Sequence, residues 1–79
     1  MLMSKTRRLT VECTGPDTLQ AVHRLLREHG ARVTGVSLSR GGAGSTVCTY
    51  TLRMPAAIPP SRLQEPLRQL PGLLSALWS

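Results

Sequence analysis

The chain has 79 residues, of which 41% are hydrophobic, 18% charged and 3% aromatic, and it carries a formal net charge of +6. This is the composition of one small folded domain, spanning 1–79, and it excludes a disordered tail, a coiled coil and a multidomain enzyme. So short a chain buries only about 60–65% of the surface it exposes when unfolded, so it builds one core, and a deep catalytic cavity would be costly. No apolar run approaches the ~20 residues that cross a bilayer. Met1-Leu2-Met3-Ser4-Lys5 puts its apolar residues ahead of its charge and lacks the apolar stretch of a signal peptide.

Residues 1–6 read as a flexible or juxtamembrane-like terminus. From Arg8 to Cys13, Leu9, Val11 and Cys13 alternate with Thr10 and Glu12, which predicts a strand with one buried face. Thr14-Gly15-Pro16-Asp17 is a turn, and Asp17 followed three residues on by Gln20 predicts a capping box that opens a helix. Leu19, Val22, Leu25 and Leu26 form that helix's apolar stripe; Gln20, His23, Arg24, Arg27 and Glu28 take the other side, and Gly30 is the stop. Thr34, Val36 and Leu38 then alternate with Gly35, Ser37 and Ser39, predicting a second strand whose outer face is small and polar.

Arg40-Gly41-Gly42-Ala43-Gly44-Ser45 predicts a flexible hairpin loop. It is not a phosphate cradle, because such a loop must open a helix for its free amides to face the phosphate, and here a strand follows. In that third strand Cys48, Tyr50, Leu52 and Met54 alternate with Thr49, Thr51 and Arg53. After Pro55, Pro59 and Pro60, Ser61 and Gln64 repeat the capping pattern, and Leu63, Leu67 and Leu70 stripe a second helix. Pro66 removes an amide donor about one turn in, which predicts a bend or a late start. Pro71-Gly72 ends this helix, and Leu73 to Trp78 reads as a fourth strand. Its parity is split, with Leu74, Ala76 and Trp78 on one side and Leu73 and Leu77 on the other; a bulge or a doubly covered strand would reconcile them.

The order β-α-β-β-α-β predicts an α+β, ferredoxin-like fold in which both helices cover one face of a four-stranded antiparallel sheet. Thr10, Glu12, Thr49, Thr51 and Arg53 lie on the opposite face. That face is a candidate interaction surface, for a protein partner or for self-association through the sheet.

Little in the sequence points to chemistry. Nine of the ten basic residues are arginine, which raises the question of nucleic acid, but they are spread along the chain and the only aromatics are Tyr50 and Trp78. A single-strand binder would interleave its cations with stacking rings, so the pattern weighs against nucleic acid. The one local basic cluster is Lys5, Arg7 and Arg8, placed as the cytoplasmic flank of a membrane segment would be, were one joined upstream. Cys13 and Cys48 form no CxxC; they could form one disulfide, but in a chain with no sign of secretion they read as buried free thiols, and His23 and His29 read as solvated helix residues rather than metal ligands. No metal, cofactor or catalytic constellation is expected. Thr14, Gly15, Asp17 and Thr18, at the start of the first helix, form a candidate site for a small anion, opposed by the carboxylate of Asp17 itself.

The strand, the run Gly15-Pro16-Asp17-Thr18-Leu19 entering a helix, the helix end His29-Gly30-Ala31 and the following strands resemble the ACT and ACT-like regulatory domains. Where the amino-acid-binding members usually have a glycine just before the helix leucine, this chain has Asp17 and Thr18. Val11-Glu12-Cys13, Val22 with Leu25-Leu26, the segment Gly35-Val36-Ser37-Leu38 and the closing Trp78 resemble more closely the ACT-like carboxy-terminal domain of the MgtC/SapB family. That resemblance implies a non-enzymatic cytoplasmic domain of a bacterial inner-membrane protein linked to magnesium limitation and survival inside macrophages. The membrane would then be reached only through an amino-terminal segment that this chain lacks, and the basic domain itself is not expected to bind magnesium. The ACT resemblance implies an alternative, an amino-acid sensor using Thr14 to Thr18. The heavy-metal-associated domains share the element order, but their CxxC is absent.

Overall fold

The computed structural model describes residues 3–79. The chain runs β1 (Ser4–Cys13), α1 (Pro16–Glu28), β2 (Arg32–Arg40), β3 (Thr46–Pro55), α2 (Ser61–Arg68) and β4 (Leu73–Trp78). The strands form one antiparallel sheet in the order β2-β3-β1-β4, so the predicted βαββαβ fold is the observed one. Leu9, Val11, Tyr50 and Leu52 of the central strands pack with Val22 and Leu26 of α1 and Leu63 and Leu67 of α2 into a single core. At about 1.5–3 kcal/mol for each large apolar side chain taken fully from water, this layer is the main source of stability.

β1 begins at Ser4 and pairs Lys5 with Met54 and Thr6 with Arg53. Residues 4–6 are therefore sheet, where a flexible or juxtamembrane-like terminus was expected; Met1 and Leu2 lie outside the described residues. The signal was missed because Ser4 to Arg8 offers no apolar alternation, and the strand is held there by its ladder with β3.

Neither predicted capping box forms. Gly15 is the N-cap of α1 with Pro16 in its first turn, and Pro60 is the N-cap of α2, both without a side-chain cap. Proline's fixed φ and missing amide suit a helix start, so α1 opens one residue before Asp17. α1 closes as predicted at Gly30, whose φ of 80° is open to glycine at little cost. α2 continues through Pro66 for eight residues and buries Leu63 and Leu67.

Two irregularities decide which side chains face inward. In β2 the register shifts between Val33 and Gly35, leaving Thr34 as the extra residue. Val33, opposite Leu52, then packs against the core, and Thr34 donates its hydroxyl to the Thr51 carbonyl at 3.1 Å. In β4 a second shift, opposite Glu12 and Cys13, makes Leu74 the extra residue. Leu73, Ala76 and Trp78 all reach the core, which resolves the split parity by a bulge.

The glycine hairpin is tied down rather than loose. The Gly41 amide donates to the Ser45 carbonyl at 2.9 Å. The buried Ser45 hydroxyl lies 2.9 Å from the Gly42 carbonyl and 2.5 Å from a Glu12 carboxylate oxygen.

Candidate functional site

The face of the sheet away from the helices carries, across its middle, the row Ser37, Thr49, Thr10 and Leu77. The next rows are Gly35, Thr51 and Arg8 on one side and Ser39, Val47, Glu12 and Ser75 on the other. The five residues expected on this face are thus brought together. Thr10 and Thr49 lie with their hydroxyls 3.5 Å apart, and Arg53 donates to Ser4 at 3.2 Å. Glu12 stands at the far end and is engaged by Ser45, so it anchors the hairpin. Leu77, 66% exposed beside Thr10, is the one large apolar side chain of the middle row.

The edge strand β2 supplies a feature that alternation did not predict. Val36 and Leu38 sit opposite the fully buried Tyr50 and Cys48, and so on the helix side of the sheet, yet they are 52% and 62% exposed. A strand with a small polar outer face should bury these two. They stay open because they lie at the edge of the sheet, beyond the packing of the helices. A nine-residue edge with unpaired amides and carbonyls and exposed Val and Leu is a template for strand addition.

Alternation divides the basic cluster. Arg8 and Thr6 face the open side, whereas Lys5 and Arg7 share the face of Met54 and Leu52. The register adds what spacing alone could not, since Arg53 pairs with Thr6 and Arg32 pairs with Arg53. Five cations therefore gather at one end of the sheet.

The loop from Thr14 to Thr18 is filled by the chain itself. The Thr18 hydroxyl donates to the Pro71 carbonyl at 2.8 Å and the Thr14 amide to the Gly72 carbonyl at 2.9 Å. Gly72 lies so close that an added Cβ would meet the Thr18 and Thr14 hydroxyl oxygens at 2.5 and 2.8 Å. Asp17 is exposed in the first turn of α1, where its charge favours the helix amides.

Both histidines are structural rather than merely solvated. His23 packs edge-on against Tyr50, with ring centroids 4.9 Å apart, and His29 Nδ1 bonds the Leu25 carbonyl at 2.9 Å at the end of α1. Cys13 and Cys48 are buried and free, as predicted. Burial pushes the Cys48 thiol up, and it holds the Tyr50 phenol far above its ordinary value. The Tyr50 hydroxyl sits beside Cys48 without a hydrogen bond of good geometry. Among the described residues no three of His, Cys, Asp and Glu come together as a metal site. Nor, among those residues, is any helix long and apolar enough to cross a membrane.

No protein-family model matches the chain, and no curated protein matches it. Solved structures do. The C-terminal domain of the MgtC protein from Mycobacterium tuberculosis superposes with a TM-score of 0.75 at 19% identity, covering 94% of this chain and 84% of that one. The ACT domain from GTP pyrophosphokinase of Chlorobium tepidum gives a TM-score of 0.75 at 9% identity, covering 98% and 100%. A formyltetrahydrofolate deformylase from Pseudomonas putida KT2440 gives 0.77 at 20% identity; 95% of this chain matches only 28% of that one. The chain therefore has the ACT-like, ferredoxin-like fold and resembles the MgtC C-terminal domain over nearly its whole length.

Proposed function

We propose that this chain is a non-enzymatic regulatory domain that works by protein interaction through its sheet, as part of an MgtC/SapB-type bacterial inner-membrane protein linked to magnesium limitation and survival inside macrophages. In that setting it is the cytoplasmic domain, and the basic end holding Lys5, Arg7 and Arg8 faces the membrane surface. The observation that carries the reading is the edge strand β2, whose Val36 and Leu38 are open to solvent although every comparable side chain of β3 is buried. The likeness to the MgtC C-terminal domain supports the family setting. The docking partner is another protein or a second copy of the sheet.

The amino-acid-sensor alternative would need room at Thr14, Gly15, Asp17 and Thr18. The contacts of Thr14 and Thr18 with Pro71 and Gly72 count against it.

Amide chemical-shift mapping of the ¹⁵N-labelled chain, titrated separately with Mg²⁺ and with a mixture of amino acids, tests this reading. Silence at the Thr14–Thr18 amides is expected. Shifts clustered there on adding amino acids would replace the docking reading with a ligand sensor.

A further inference from the structure

Two shallow depressions run along the β2 side of α1. One, of 440 Å³, is lined by Leu19, Gln20, His23, Arg24 and Arg27. The other, of 380 Å³, shares His23 and Arg27 and continues to Arg32 and Val33 on β2. Together they form a trough along α1 that reaches β2 at Arg32 and Val33. Beyond them, on the helix side of the strand, lie the exposed Val36 and Leu38.

The trough has a chemical polarity. At the start of β2, Arg27 and Arg32 stand together, with Arg24 one turn back along α1. Among the described residues no carboxylate lines either depression. Farther along the helix side of β2 come the apolar Val36 and Leu38, and the strand ends on the exposed Arg40. The backbone of β2 meanwhile offers an unpaired edge, free of bulges from Gly35 to Arg40.

We propose that β2 and this trough receive an extended, acidic segment of another protein as a fifth strand, a deepening that rests on the docking reading above. Main-chain hydrogen bonds to the β2 edge supply affinity, and alternate side chains supply specificity, as in other strand additions. The helix-side residues of the incoming segment are apolar where they meet Val36 and Leu38, and acidic where they reach Arg24 and Arg27 on α1. Its other residues are small and polar, to lie beside Ser37 and Ser39.

Charge selects this occupant over a second copy. Pairing β2 with β2 about a two-fold axis would set an α1 wall on each side of one junction. Arg24 and Arg27 of each copy, four arginines in all, would then flank a junction whose two depressions no carboxylate lines. Like charges so placed oppose association, whereas an acidic strand is drawn in.

The test uses two synthetic peptides, acetyl-Val-Thr-Val-Thr-Glu-Thr-Glu-Thr-amide and its counterpart with Lys in place of both Glu, each titrated into the ¹⁵N-labelled chain. The Glu peptide is expected to shift the Gly35–Arg40 amides and the Arg24 and Arg27 side-chain signals, with affinity at least tenfold above the Lys peptide. That preference should shrink as salt is raised from 50 to 300 mM. The double variant R24E/R27E, exposed on the helix surface, should reverse it. Equal binding of both peptides, shifts on Thr10, Thr49 and Thr51 instead, or no binding at all would overturn the proposal. So would concentration-dependent shifts of β2 without peptide, which would make the partner a second copy. These failures leave the docking reading standing as long as Thr14–Thr18 stays silent to amino acids; shifts there would remove both.

Discussion

Replacing Tyr50 by Phe should make the protein more stable, and increasingly so as the pH rises. The Tyr50 ring is fully buried and packed against His23, and its hydroxyl has only the Cys48 thiol beside it, without a hydrogen bond of good geometry. An unpaired hydroxyl in an apolar interior costs about 1–3 kcal/mol. Removing it while keeping the ring leaves only an oxygen-sized gap, so the expected gain at pH 7 is about 1 kcal/mol. For a domain of this size that raises Tm by about 4–8 °C.

The pH dependence follows from the raised phenol pKa. The folded protein holds the Tyr50 proton more tightly than the unfolded chain does. The stability this contributes is fully present below the ordinary tyrosine value near 10. Above it the unfolded state ionises first, and about 1.4 kcal/mol is lost per pH unit while the folded phenol stays neutral. The variant has no such loss, so its advantage should widen to about 2.5 kcal/mol at pH 11. Urea unfolding at pH 7, 9, 10 and 11, followed by far-ultraviolet circular dichroism, measures both quantities. Parallel pH profiles for the two proteins, or a Phe variant less stable than the parent at pH 7, would refute the assignment of an orphaned buried hydroxyl.

Gly72→Ala should cost at least about 2 kcal/mol in the same assay, since Gly72 has a φ of 83° and its new methyl would strike the Thr14 and Thr18 hydroxyls. Gly42→Ala, with nothing within 4 Å, is the control and should change stability by less than about 1 kcal/mol. Ser45→Ala removes the hydroxyl that links Glu12 to the hairpin and should cost about 1–3 kcal/mol. It should also speed hydrogen exchange at Gly41 and Ser45, measured by mass spectrometry or NMR. Cys13 and Cys48 should resist a thiol reagent at pH 8 in the native protein and react at once in urea, because both are buried and the Cys48 thiolate is disfavoured by burial. Rapid native labelling would contradict the core assigned here.

The parts of the fold that were legible are those in which one local rule acts alone. Strict alternation at Leu9, Val11 and Cys13 and again from Cys48 to Met54 identified the two central strands, because a strand between neighbours buries every second side chain. The candidate surface at Thr10, Thr49 and Thr51 followed by the same parity. The capping boxes failed because proline at each helix start already favoured helical φ, so the polar side chains were not needed as caps. Thr34 has the alternation of an inner-face residue of β2, because a bulge is set by cross-strand pairing and leaves no mark on the strand's own pattern. Ser4 to Arg7 carry no strand pattern of their own for a related reason, since the partners that hold them in β1 are Leu52 to Pro55.

Sequence by itself determined the order of elements, the ferredoxin-like class, the inward faces of β1 and β3, the free buried cysteines and the glycine stop of α1. All of these depend on periodicity or on the conformational limits of a single residue. Tertiary structure alone decided which faces remain uncovered. Val36 and Leu38 have the alternation of buried residues, and only their place on an edge strand leaves them in water. The gathering of Arg32 and Arg53 with Lys5, Arg7 and Arg8, and the line from Arg24 to Arg32 beside β2, likewise exist only after strand register and helix packing join distant segments. Burial and charge proximity are properties of neighbours in space, and it is these two that define the proposed docking surface.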